Sequence, residues 1–340
     1  METYALKLCE GLAPRCSLLT RVLPGRAHGV PPTLFRLTIF LIGSIGFLFR
    51  RRADVVHVGD LVLWPLALAA RWFRSAPRVA ITAYGLDVIY GQRKGLLPRI
   101  YATYLALGVR LIGQRVRIIA ISQETARLCR DAGFADVVVV TLGVDLPTSA
   151  PPPDEAPGPF ILFVGRLVRR KGAAWFIREV LPLLPDAMGL LVVGKDWDPD
   201  EVAALRESSR VDYREVVSSA ELFALRRSAT VVVMPNIPSG GTDVEGFGLT
   251  AVEAGADGGV LLASGIEGIV DAVIDGTTGF LLPAGDASAW VGKILEVAAW
   301  ELTRRARFIA SCQAAIGDHY AWPVVAERTL AAYESTRAVA

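Results

Sequence analysis

Two doubly wound α/β domains, each a parallel sheet covered by helices on both faces, are the fold this sequence predicts. Three observations carry the prediction. Short β-branched runs alternate with helical patterns along the whole 340-residue chain. Those runs are apolar on both faces, as strands buried in a parallel sheet must be. The proline-dense segment "PTSAPPPDEAPGP" (147–159) divides them into two sets of four and reads as a linker. A chain of this length suits two domains or one large one.

Taken in order, the chain opens "METYALKLCEGLAPRCSLLTRV". Met1, Ala5, Leu8 and Leu12 follow helical spacing, which predicts an amphipathic helix over 2–13. The following "CSLLTRV" reads as a strand. No Ser, Thr, Asp or Asn cap and no glycine turn precedes this helix, an unusual opening for an α/β domain. Residues 34–49, "LFRLTIFLIGSIGFLF", are apolar on nearly all sides and lead into Arg50, Arg51 and Arg52. The stretch is shorter than the ~20 residues a spanning helix needs, and Arg36 interrupts it, so a buried or membrane-surface helix is expected. Strands are then predicted at "DVVHV" (54–58), "RVAIT" (78–82), "RIIAIS" (117–122) and "VVVVT" (137–141). Beyond the linker they recur at "FILFVG" (160–165), "LLVVG" (190–194), "TVVVMP" (230–235) and "VLLAS" (260–264). The expected division is a first domain over 1–150, a second over 151–318, and a terminal helix over 319–340 packing back on the first.

Composition narrows the function. Cys9, Cys16, Cys129 and Cys312 make no CxxC pair, which fits a reducing compartment and four buried small side chains. His28, His57 and His319 neighbour no other ligand at zinc spacing, so no metal site is expected. The net charge of +2 hides an asymmetry. Residues 1–150 hold 19 Lys and Arg against 9 Asp and Glu, whereas 151–340 hold 17 against 25. Either the first half meets something anionic, such as lipid head groups or a phosphorylated acceptor, or it is an ordinary Arg-rich surface. The expected location is the cytoplasm, at the inner face of the membrane if the basic half binds lipid. Nucleic acid is not an expected partner.

In such sheets ligands sit beyond the carboxyl ends of the strands. Strand 160–165 is followed by "GRLVRRKGAAWFIREVLPLL", in which Gly165 and Gly172 bracket Arg166, Arg169, Arg170 and Lys171. A helix start near Gly172 with a guanidinium and an ammonium beside it suits a diphosphate; a basic surface loop is the plain alternative. Strand 230–235 is followed by "MPNIPSGGTDVEGFGLTAVEAGADGG" (234–259). Gly246 and Gly248 allow close backbone approach to a ligand. Glu245 precedes a helix expected near Phe247, and Glu253 lies two turns into it. Carboxylates accept hydrogen bonds from vicinal hydroxyls, so each could hold one sugar ring. The plain reading makes Glu245 a helix-start acid and Glu253 a solvated side chain.

"VGRLVRRKG", "VVMPNIPSGGTDVEGFGLTAVEAGADGG" and "DGTTGFLLPAGDASAW" resemble, in order, the blocks of the retaining glycosyltransferases of family 4 (glycosyl transferases group 1). The resemblance extends through "DVVHVGDL", "TAYGLDV", "AISQETARL", "TLGVD" and the terminal "YAWPVVAERTLAAYES". It implies the GT-B fold, two Rossmann-like domains facing a cleft, and transfer of a hexose from a GDP-, UDP- or ADP-sugar without cofactor or metal. It implies that Arg166 and Lys171 hold the donor diphosphate, with Gly165 beside them. Glu245 would bind the transferred sugar, while Phe247, Gly248, Leu249 and Thr250 would meet sugar and phosphate. Glu253 would bind the ribose, and "VDYREVVSSAEL" (211–222) would lie along the base, with Glu215 where a glycine is usual. Tyr84 stands where the family often has a catalytic histidine, and Asp87 follows it as a nearby carboxylate. His57 reads as a hydrogen-bonded core residue. The family's first strand and glycine turn are not present before the opening helix, so either the true start lies upstream or the first domain lacks that strand.

Two other classes share this kind of fold. A dinucleotide-dependent oxidoreductase would need G-x-G-x-x-G after an early strand with an acid ~20 residues on, and none is found. A degenerate transferase that binds nucleotide-sugar without transferring it is the second; Tyr84 and the missing strand favour it.

Overall fold

The computed structural model describes residues 2–23, 33–71, 78–147, 158–238, 240 and 243–334. The linker at 148–157, His28 and the last six residues lie outside them. In chain order the elements are α1 (Glu2–Leu12), α2 (Leu34–Arg50), β1 (Val55–Val58), α3 (Trp64–Ala70), β2 (Arg78–Ala83), α4 (Leu86–Ile89) and α5 (Leu96–Ile112). Then come β3 (Arg117–Ala120), α6 (Gln123–Asp131), β4 (Asp136–Val139), β5 (Gly158–Val164), α7 (Ala173–Trp175), β6 (Gly189–Val193) and α8 (Pro199–Ala204). The remainder are β7 (Val211–Arg214), α9 (Ser219–Ser228), β8 (Ala229–Met234), α10 (Leu249–Ala256), β9 (Leu261–Ser264), α11 (Ile269–Ala272), β10 (Phe280–Leu282), α12 (Ala287–Ala298), α13 (Leu302–Tyr320) and α14 (Trp322–Glu334).

The chain divides into two compact units: residues 1–143 with 322–340, and residues 144–321. In the first, β1-β2-β3-β4 form a parallel sheet. Side chains alternate across β2, as they must on a pleated strand. Val79, Ile81 and Ala83 join the core that α2, α3 and α5 cover, whereas Ala80 faces the core closed by α14. α1 seats Tyr4, Leu8 and Leu12 against Ala326 and Trp322 of α14. The segment 16–22 forms no strand, contrary to expectation. Cys16 and Leu18 still turn inward, but a strand exists only through a neighbour's ladder, and among the described residues no strand pairs outside β1. The cysteine expectation needs a similar correction: Cys129 and Cys312 are buried, Cys9 and Cys16 only half so.

In the second unit the order is β10-β9-β8-β5-β6-β7, all parallel. The chain leaves β5 outward through β6 and β7, then returns to place β8 on the opposite side of β5. Strand order therefore reverses between β5 and β8, and a crevice opens beyond their carboxyl ends. Phe163, Phe176 and Trp290 anchor the core, and the Trp290 indole N–H donates to Pro283 O at 3.1 Å.

His57 sits on β1, its Nδ1 2.6 Å from the Tyr333 hydroxyl and its Nε2 2.7 Å from Thr82 Oγ1. Burial lowers its pKa to about 4, so it is a neutral internal tie between β1, β2 and α14, as its sequence context suggested. Tyr333→Phe would leave a buried ring nitrogen without its partner, at a cost of about 1–3 kcal/mol. Urea unfolding should show that loss; an unchanged midpoint would mean the tie contributes nothing.

Candidate functional site

The residues after β5 and β8 meet because backbone is allowed to approach backbone. Arg169–Lys171 make one 3₁₀ turn, closed by Gly172 at φ 73°. A Cβ on Gly172 would collide with the Pro235 carbonyl oxygen, and Ile237 N–H donates to Arg170 O at 3.0 Å. Only glycine allows this left-handed close approach. Arg170 and Lys171 are thereby folded inward, and both are buried.

Glu245 completes the cluster. Its Oε2 pairs with Arg170 Nη1, with Lys171 Nζ at 2.5 Å and with Asn236 Nδ2 at 3.2 Å. Asp243 lies 3.2 Å from Arg170 Nε. Burial alone would raise the Glu245 pKa, but the charges and hydrogen bonds of Lys171 and Arg170 outweigh it and hold the group at about 2. A third loop closes on this pair. Glu267, the one non-glycine residue with positive φ (51°) among the described residues, accepts the Glu245 N–H at 2.5 Å. Gly268 N–H donates to Glu245 O at 3.0 Å. A left-handed backbone at a non-glycine residue is held in place here by that part-buried hydrogen bond. Asn236 Oδ1 and Ser264 Oγ, at the ends of β8 and β9, are buried with no hydrogen-bond partner among the described residues.

The other expected residues are distributed as follows. Gly165 continues the sheet, its N–H donating to Val193 O at 2.9 Å. Arg166 is exposed and its guanidinium lies 5.6 Å from the Trp197 ring centroid. Phe247 is buried against Tyr320, with ring centroids 6.0 Å apart. Gly248 caps α10 at φ 89°, and α10 begins at Leu249 and Thr250 rather than at Phe247. Glu253 Oε2 is 2.7 Å from Arg226 Nη2, and the same guanidinium is 2.6 Å from Asp257. The start of α7 is already capped, since Glu201 accepts the Ala174 N–H at 2.9 Å. Asn236, Glu267 and Arg226 had no role in the sequence reading, and Arg170 figured there only as one of the loop's basic residues. "RRK" signalled a cation there but not which of three consecutive residues folds inward.

In the first unit, Tyr84 N–H donates to both Asp87 carboxylate oxygens, at 2.9 and 3.1 Å. The Tyr84 ring stands edge-on to Tyr4 at 5.8 Å. Burial, then the charge of Asp60, pushes Asp87 up to about 7 against the backbone N–H groups that lower it. Among the described residues no three His, Cys, Asp or Glu side chains gather as a metal site.

The Glu245 cluster predicts acid sensitivity. A carboxylate near 2 in the fold and 4.5 when unfolded contributes about 3 kcal/mol of stability above pH 4.5, lost as pH falls from 4.5 through 2. Glu245→Gln should therefore lower the melting temperature strongly at pH 7 and much less at pH 3. An equal penalty at both would overturn the ion-pair account.

The comparisons agree with this architecture. The family model "Glycosyl transferases group 1" matches residues 158–299, and "Glycosyltransferase Family 4" matches residues 1–147. A phosphatidyl-myo-inositol mannosyltransferase of Mycobacterium tuberculosis is 31% identical across 98% of this chain and 93% of its own. Among solved structures, sucrose-phosphate synthase from Thermosynechococcus elongatus superposes with TM-score 0.70 at 21% identity, covering 98% of this chain and 92% of that one. Anabaena HepE in complex with UDP and glucose gives 0.65 at 17%, covering 89% and 83%. These two share the fold, GT-B. With both halves matched and a relative above 30% identity along nearly its whole length, the chain belongs to glycosyltransferase family 4.

Proposed function

We propose that this glycosyltransferase moves a hexose from a nucleotide-sugar to an acceptor with retention at the anomeric carbon and without a divalent metal. The observation that carries the reading is the Glu245–Arg170–Lys171 cluster beyond the carboxyl ends of β5 and β8, where strand order reverses. A phosphorylated sugar brings anion to the cations and hydroxyls to the carboxylate. Lys171 and the exposed Arg166 take the diphosphate, with Gly165 beside them, and Glu245 takes sugar hydroxyls. Main-chain N–H groups at Phe247, Gly248 and Leu249, with Thr250, lie at the α10 start, where a helix favours phosphate. Glu253 exchanges Arg226 for the ribose hydroxyls. Asp87 and Tyr84 serve the acceptor side. In same-face attack the anomeric C–O bond to diphosphate breaks as the acceptor oxygen bonds to that carbon, and the acceptor proton passes to the departing phosphate oxygen. Positive side chains stabilise the charge that develops there.

A nucleotide-linked donor is supported by HepE, whose complex holds UDP and glucose. A lipid-linked or phosphorylated acceptor at the cytoplasmic face of a membrane is supported by the basic first half and by the mannosyltransferase's name. UDP-, GDP- and ADP-sugars can be ranked by thermal shift. With the donor so found, Glu245→Gln and Arg166→Ala should each lower turnover by about 10²–10³. Unaltered turnover in both would sink the site assignment. Nucleotide binding without transfer from any donor would instead mark a binding protein.

A further inference from the structure

The outward faces of α2 and α5 carry a combination that the donor site leaves unexplained. On α2, Phe35, Ile39, Ile42 and Phe49 recur at i, i+4, i+7 and i+14, which draws one stripe along a helix. All four are exposed, Phe35 to 74% and Ile42 to 66%. On α5 Leu96, Ile100, Leu107 and Leu111, at i, i+4, i+11 and i+15, are likewise exposed along one stripe, with Leu96 at 73%. The opposite sides of these helices are anchored: Leu41, Ile45 and Leu48 of α2 and Leu105 and Ile112 of α5 pack into the same core over the sheet. Both helices flank α3.

Charge selects the occupant. Residues 33–53 and 88–115 hold nine Lys and Arg and no Asp or Glu. Arg50, Arg51 and Arg52 follow α2, and Lys94, Arg99 and Arg110 lie at or along α5; all six are exposed. Apolar stripes whose own segments carry cations and no acid match the surface of an anionic bilayer, in which side chains enter the acyl boundary and cations meet head groups. A second copy is a poorer occupant, since a two-fold contact would set this cationic face against itself. Spanning is excluded for α2, whose 17 residues extend about 25 Å against a hydrocarbon core of about 30 Å.

We infer that the outer faces of α2 and α5 dock the first unit on an anionic lipid surface, with α2 lying in the interface. This deepens the proposed lipid-side acceptor, but vesicle binding is read without donor or acceptor, so either reading can fail alone. The test is cosedimentation with vesicles of phosphatidylcholine containing 30% phosphatidylglycerol, about one anionic lipid in three, against phosphatidylcholine alone. The full chain should prefer the anionic vesicles at least about tenfold, and high salt should weaken binding. Ile39→Glu with Ile42→Glu, or Arg50→Ser with Arg51→Ser and Arg52→Ser, should each lower binding about tenfold, with unchanged melting temperature. Leu96→Glu with Ile100→Glu repeats the test on α5 alone. Absence of anionic preference, or retention of full binding by all three variants, overturns the inference. A dimer in sedimentation equilibrium that the Ile39→Glu, Ile42→Glu variant dissolves, without vesicle binding by the parent chain, overturns it in favour of a second copy.

Discussion

The second unit is organised around one buried carboxylate. Removing a charge from water costs several kcal/mol, and only close, hydrogen-bonded countercharge offsets that. Glu245 has two cations from the loop after β5 within reach, and the Asn236 amide from its own loop. The cluster therefore dictates where those loops run. The turn after β5 must bring Arg170 and Lys171 inward, and Gly172 permits it by lying flat against the Pro235 carbonyl. The loop after β9 must come as close on the other side: a Cβ on Gly268 would strike the Gly246 carbonyl. Glu267 accepts a left-handed backbone to keep its carboxylate on the Glu245 N–H. Three loops, each following a strand, meet at Glu245, two through its ion pairs and the third through its backbone hydrogen bonds.

The same contacts bear on the proposed donor binding. The anionic partner of Lys171 is Glu245, and a partner of Glu253 is Arg226. Each group that the proposed function turns toward phosphate or hydroxyl already holds a substitute inside the protein. Binding then exchanges one charge-assisted contact for another, so the cations need not be desolvated afresh. The exposed Arg166 on Trp197 has less to exchange; its planar group is prearranged by stacking rather than by an acid.

Much of this was legible in the sequence because short β-branched runs, apolar on both faces and set between helical patterns, admit few alternatives. The eight strands predicted from residue 54 onward formed. What escaped had a physical reason. β7, "VDYR", alternates polar residues because it is the sheet's edge, and β10 is only three residues long. "CSLLTRV" has strand character, but strandness is a property of pairs, and no described strand offers it a ladder. In the site, Glu245 and Lys171, both named from the sequence, are in contact. Arg170 was indistinguishable from its basic neighbours because its inward orientation is set by the Ile237–Arg170 backbone bond 67 residues on. Glu267 carried no signal, since "SGIEG" reads as an ordinary turn.

The two units also show how one chemical group acquires opposite character. Glu245 and Asp87 are both buried carboxyls near the end of a parallel strand. Glu245 faces two cations and stays ionised down to about pH 2. Asp87 has no cation opposite it among the described residues: burial and the charge of Asp60 raise its pKa, and backbone N–H groups, Tyr84 N–H among them, offset only part of that. Its pKa is pushed up to about 7. A fixed anion suits a group that accepts hydroxyls and balances cations. Desolvation penalises both groups, so the difference lies in what each loop places opposite them. In the second unit that is set by Gly172, the residue that lets the β5 turn close.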